Sequence, residues 1–263
     1  MNAVGRIKRG ALVALIFLCV AAPSAAGAQQ ARWLHQASSI SALLAGVYDG
    51  EESIADLKRN GDFGLGTFDG LDGEMVMLDG VCHQVLVSGE ARVAQDSLKT
   101  PFAAVVFFRP VFSADSGRIE NMEGLLKRLN RLFPNGDGFY AVRLTGEFEM
   151  VKTRSVPKQN RPYPPLVEAA KRQQLSTASN VSGDLVALYC PPSAAGLNVV
   201  GWHVHFLNAQ RSRGGHLLDL RAKDLKVEGM ALNGLQAILP GFEEYNKARL
   251  CEDREAELSR VER

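Results

Sequence analysis

Three of the five histidines in this 263-residue chain fall in one window, GWHVHFLNAQRSRGGHLLDL, residues 201 to 220. Side chains on a strand alternate between two faces. Read that way, Val200, Trp202, Val204 and Phe206 make an apolar face, and Gly201, His203 and His205 share the other. Imidazoles two residues apart on a strand sit roughly 6 to 7 Å apart at their Cα atoms. That spacing suits two ligands on one ion with short metal–nitrogen bonds. The polar turn NAQRSRGG lets the chain return as the neighbouring strand and brings His216 beside the pair. Three neutral imidazoles with an open fourth position describe a catalytic zinc site better than a structural one. Gly201 leaves room beside the ligands. The competing reading is three histidines packed in a core with no ion, and three imidazoles also accept other divalent ions.

An HxH pair also occurs in cupins, which usually add a glutamate a few residues later. Here Phe206, Leu207, Asn208, Ala209 and Gln210 follow, with no carboxylate. The other histidines lack such a pattern: His35 reads as a surface residue, and His83 as part of a hairpin.

Two further stretches carry chemistry. GTFDGLDGE, residues 66 to 74, places Glu74 after two tight turns, either as a general acid or base or as a solvated turn residue. In VKTRSVPKQNRPYPP, residues 151 to 165, Arg154 ends a strand before a proline-fixed path. An arginine there grips a carboxylate or a developing oxyanion. With Lys152, Lys158 and Arg161 it reads equally as a solvated basic edge. No GxSxG, no P-loop and no GxGxxG opening a helix is present, so nothing supports a serine hydrolase or nucleotide enzyme.

The elements that must hold these residues follow from periodicity. Residues 38 to 50 and 53 to 64 read as short helices, stopped by Gly50 and by Asn60-Gly61. Residues 67 to 94 are alternating runs separated by Asp-Gly and Ser-Gly turns, the mark of hairpins. Residues 101 to 112 read as a buried strand and 118 to 134 as an amphipathic helix. Residues 139 to 156 read as a hairpin turning at Thr145-Gly146, and 161 to 174 as a helix entered through prolines. Strands follow to residue 232, then a short helix over 232 to 240 and a charged, solvated, helix-favouring tail. The sum is α+β: two closely packed, mostly antiparallel β-sheets with a few peripheral helices.

With 46% apolar and 22% charged residues, the chain can build an ordinary core without disulfides. A formal charge of +1 gives no electrostatic case for nucleic acid or an anionic membrane. Arg6, Lys8 and Arg9, the apolar run 11 to 22, Pro23 and Ala26-Gly27-Ala28 form a cleavable signal peptide over residues 1 to 28. The run is shorter than the roughly 20 residues a membrane span wants. The expected mature unit is a single compact catalytic body, 29 to 263, exported to the periplasm or medium, with no membrane association after cleavage. Cleavage takes Cys19, leaving Cys82, Cys190 and Cys251 without a metal or disulfide spacing.

Four blocks in this order, GDFGLGTFDGLDGEMVMLDG, TPFAAVVFF, TRSVPKQNRPYPPLVE and GWHVHFLNAQRSRGGHLLDL, resemble the α-acetolactate decarboxylase family, from about Ser41 to Leu239. The resemblance implies a two-sheet architecture, one zinc ion (Zn2+) on three histidines in a cleft, and a homodimer. It implies conversion of the small molecule 2-acetolactate to acetoin and carbon dioxide through a metal-bound enediolate, within acetoin and butanediol metabolism. Carried over, the metal ligands are His203, His205 and His216. Glu74 becomes the acid/base carboxylate, Thr67 lies near the metal, and Arg154 serves the substrate carboxylate or oxyanion. The family also uses a glutamate near the carboxy terminus. Of Glu252, Glu255, Glu257 and Glu262, ungapped spacing favours Glu262. Two other functions fit the histidines: an exported zinc hydrolase, which would cleave an ester or amide and ignore acetolactate, and a non-catalytic metal-binding protein.

Overall fold

Short alternating runs with tight turns build the first sheet. The computed structural model describes residues 32–134, 136–248, 250 and 255–262, without the side chains of Glu255 and Glu262. The signal-like segment and Cys251 lie outside the described residues. β1 (Trp33–Ala37) leads into α1 (Ile40–Leu44) and α2 (Ile54–Asn60). A meander follows: β2 (Phe63–Thr67), β3 (Glu74–Leu78), β4 (Val81–Val85) and β5 (Ala91–Val93), then β6 (Ala103–Val106). Asp79 and Gly80, with φ of 53° and 78°, make the β3–β4 turn in the left-handed conformation that two-residue hairpins need. Ser53 caps α2, and its capping box is closed by Asp56. α1 stops earlier than Gly50: Gly46, at φ 90°, turns the chain away. Gly50 instead lets the backbone pass Thr100, whose carbonyl would lie 1.9 Å from an added Cβ.

The second sheet is made of longer strands: β7 (Phe112–Asp115), then after α3 (Met122–Leu132) β8 (Phe139–Ser155), after α4 (Leu166–Ala170) β9 (Gln174–Cys190), then β10 (Gly201–Asn208) and β11 (Gly214–Leu232). β12 (Gly234–Ile238) returns to the first sheet, and α5 (Glu243–Lys247) and α6 (Glu255–Glu262) end the chain. The sheets have orders β12-β1-β6-β2-β3-β4-β5 and β10-β9-β8-β11-β7, with β10 also pairing to β11. All pairings among these strands are antiparallel except β1 with β12. The fold is α+β, as expected.

Four further expectations change. Residues 139 to 155 are one strand, not a hairpin: Gly146 pairs with Gly183 on one side and Leu225 on the other. Its register against β11 slips between Gly146 and Phe148, where Ala222 to Leu225 carries an extra residue, while its register against β9 runs through unshifted. Residues 234 to 238 form a strand, because β1 offers a free edge that outweighs their helix-like spacing. Only 103 to 106 of the apolar run 101 to 112 form a buried strand, while Val111 and Phe112 face solvent. His35 is buried on β1, 3.0 Å from Glu52, not at the surface.

The core between the sheets joins Phe63, Leu65, Val76 and Leu78 to Val186, Leu188 and Leu207. The opposite face of the second sheet packs Val204, Phe206, Phe148 and Leu220 with α3 residues Leu125 and Leu129. Cys82 and Cys190 are free buried thiols, each pushed up to about 12 by burial.

Asp184 on β9 ties the second sheet to its turns. It accepts from Arg143 (2.8 Å), Thr145 (2.6 Å) and Arg211 (2.6 Å). Burial alone would raise its pKa, but these three donors outweigh that and hold it below the ordinary carboxylate value. Its stabilising contribution is therefore present above the unfolded carboxyl pKa of about 3.9 and is lost as pH falls through the lower folded value. Asp184→Ala should cost roughly 2–3 kcal/mol at neutral pH, somewhat less than a fully buried pair, because both arginines still reach water. Denaturant melts at pH 7 and pH 3 check this, since the gap between parent and variant should narrow at the lower pH.

Candidate active site

Strand register assembles the site. His216 on β11 is the paired neighbour of His205 on β10 and also of Arg154 on β8. One row across three strands thus carries Arg154, His216 and His205, and His203 stands two residues before His205 on β10. The closure of β10 onto the first residues of β11 makes this row possible, and it needs the pair Gly214-Gly215. Gly215 has φ of 144°, and an added Cβ would lie 2.7 Å from the Arg154 carbonyl. A side chain at Gly214 would meet the Phe206 carbonyl at 2.4 Å. Gly201 has a different role from the one expected: nothing crowds it, and its φ of 91° is what calls for glycine.

The other sheet supplies Glu74 and Thr67, which are paired across β3 and β2. Glu74 is 8% exposed, so it is a buried residue and not a solvated turn. Its carboxylate lies 3.6 Å from His205 Nε2 and 3.8 Å from Arg154 Nη1. Thr67 donates its hydroxyl to the Gly73 carbonyl at 2.7 Å, fixing the turn that delivers Glu74. Arg154 is buried in the site, whereas Lys158 and Arg161 are surface residues paired with Asp72 and Asp49. The basic-edge reading holds for those two and not for Arg154.

The three histidines fit a metal. Their ligand atoms all lie within 4.8 Å of one another, and all three side chains are buried. His205 Nδ1–H donates to the Met75 carbonyl at 2.9 Å, which leaves Nε2 unprotonated with its lone pair free for an ion. That Nε2 faces His203 Nε2 at 3.1 Å. Two nitrogens at tetrahedral positions around an ion with bonds of about 2.0–2.1 Å would be roughly 3.3 Å apart. Burial, reinforced by Arg154, pushes His203 down to about 3. Burial, then His203 and Arg154, push His205 well below its ordinary value. Both imidazoles are neutral at pH 7, the protonation state a ligand requires.

Around these polar groups stand Ile40 and Leu43 of α1, Leu71, Phe102, Val156, Leu166 of α4 and Val261 of α6. Spacing does not reveal this apolar wall, because its members come from separate elements. The tail is therefore not simply solvated, since α6 docks Val261 into the pocket. Glu262 follows Val261 as the last residue of α6, with its side chain outside the described residues.

The family model for α-acetolactate decarboxylase matches residues 34–252. The chain belongs to that family. It is 38% identical over 229 residues to the α-acetolactate decarboxylase of Brevibacillus brevis, covering 87% of this chain and 80% of the relative. Against that of Methanosarcina mazei it is 40% identical over 234 residues, covering 88% and 80%. The crystal structure of α-acetolactate decarboxylase from Bacillus subtilis strain 168 superposes with a TM-score of 0.84 at 33% identity, over 88% of this chain and 98% of that one. The histidine hairpin, Glu74 and Arg154 all fall within the span matched to the α-acetolactate decarboxylase family, and α6 lies beyond it.

Proposed function

We propose that this protein decarboxylates 2-acetolactate to acetoin, with zinc held by His203, His205 and His216. The observation that carries the reading is the meeting, in one buried cluster, of the His203, His205 and His216 imidazoles with the Glu74 carboxylate and the Arg154 guanidinium. The substrate bears a carboxylate, a tertiary hydroxyl and a ketone on adjacent carbons. In the reaction the bond between the carboxylate and the carbinol carbon breaks. Carbon dioxide leaves, the electron pair spreads into the neighbouring ketone, and one proton is added at the carbinol carbon. A divalent ion on the three histidines supplies Lewis-acid stabilisation of the charge that develops as carbon dioxide departs.

The chain's own groups divide the remaining work. Arg154 is the buried guanidinium of the pocket and matches the substrate carboxylate. Glu74, rigidly placed at the head of β3, holds the proton and delivers it to one face of the carbon, which makes the product chiral. The Met75 carbonyl orients His205, and the apolar wall keeps water from the developing charge. Purified protein given racemic 2-acetolactate should release acetoin, stop on strong chelation and resume when zinc is restored. No turnover by fully zinc-loaded protein would sink the proposal.

A further inference from the structure

We propose that the apolar wall of the pocket reads the alkyl substituent on the substrate's carbinol carbon, and that Val261 on α6 sets the size it accepts. The inference rests on the decarboxylase reading and adds a specificity determinant to it. The pocket has two kinds of lining. Thr67, Glu74, Arg154, His203 and His216 offer charge, hydroxyl and imidazole groups. Ile40, Leu43, Leu71, Phe102, Leu166 and Val261 belong to one buried cluster and offer only hydrocarbon. The polar groups match the carboxylate, the hydroxyl and the ketone. What remains of the substrate is alkyl, and the cluster is the surface left to receive it.

Val261 is the member best placed to tune that surface. It is 4% exposed and lines the pocket, and Leu258, one turn earlier on the same helix face, packs against the same cluster. It is smaller than Ile40, Leu43, Leu71, Phe102 or Leu166, and the one apolar lining residue of equal size, Val156, stands two residues after Arg154 in the chain. It comes from an element outside both sheets and beyond residue 252, where the family match ends. Neither the register that forms the histidine row nor the β2–β3 pairing that places Glu74 involves α6.

One methylene in an apolar pocket changes relative rates by roughly 10- to 200-fold. The test compares kcat/KM for 2-hydroxy-2-methyl-3-oxobutanoate with its 2-ethyl homologue, in the zinc-loaded parent, Val261→Ala and Val261→Ile. The ethyl-to-methyl ratio should rise about tenfold in Val261→Ala and fall about tenfold in Val261→Ile, at unchanged zinc content. A shift seen in either direction at parental melting temperature is sufficient, so a poorly folded variant does not decide the matter alone. If the parent turns over the methyl substrate and both variants keep its ratio within about twofold, the wall does not read the alkyl group. If the parent turns over neither substrate, the decarboxylase reading itself fails and takes this inference with it.

Discussion

Glu74→Gln should keep its zinc and lose about 10²- to 10⁴-fold in kcat, the usual worth of a positioned proton donor. The amide has the shape of the carboxyl group, so the β2–β3 pairing of Thr67 with Glu74 and the turn fixed by the Thr67 hydroxyl should survive. The imidazoles are oriented from elsewhere: His205 by the Met75 carbonyl, His216 by its place between β10 and β8. What the variant lacks is an exchangeable acidic proton. A loss in kcat with little change in KM would place Glu74 in the transition state rather than in substrate binding. Zinc stoichiometry measured on the same preparation separates this from a collapsed site. Full activity would remove Glu74 from the mechanism.

His205→Ala should abolish turnover and empty the metal site. His205 is 0% exposed, and its Nε2 faces that of His203. Truncation deletes one of the three proposed ligands, opens a cavity and removes the imidazole donor from the Met75 carbonyl. Even the loss of a group that merely orients a ligand costs about 10- to 100-fold in metal affinity or activity, and loss of a ligand should exceed that. Zinc content after dialysis, read beside acetoin release, checks both halves. One zinc per chain retained in the variant would contradict the ligand assignment.

How legible such a site is depends on how local its geometry is. The histidine window could be read because strand alternation and one polar turn determine where His203, His205 and His216 go, and β10 and β11 pair as that pattern requires. Apart from the family resemblance, Arg154 and Glu74 stood out only as residue types at a strand end and after a turn. Their burial comes from pairing with β11 and from the facing of two sheets, and neither leaves a mark in local spacing. The wall was illegible for the same reason: α1, α4 and α6 meet there from widely separated parts of the chain. The errors in the fold have a common cause. Thr145-Gly146 and the segment 234 to 238 have local preferences for a turn and a helix, yet partners on β9, β11 and β1 impose strand on both. His35 looked peripheral because it lies near an end, but its strand has neighbours on both sides.

That last arrangement has a consequence for biogenesis. β1 is the first strand of the described chain, yet it is an interior strand of its sheet, held between β6 and β12. Its partner in the parallel pair, Gly234–Ile238, is made some 200 residues later. A nascent chain carries β1 with one flank bare until residues 234–238 have been made. An unpaired strand flank is a template for other chains. A messenger that ends near Leu232 would yield a product with His203, His205 and His216 all present and a sheet still open along β1, prone to associate with its own kind.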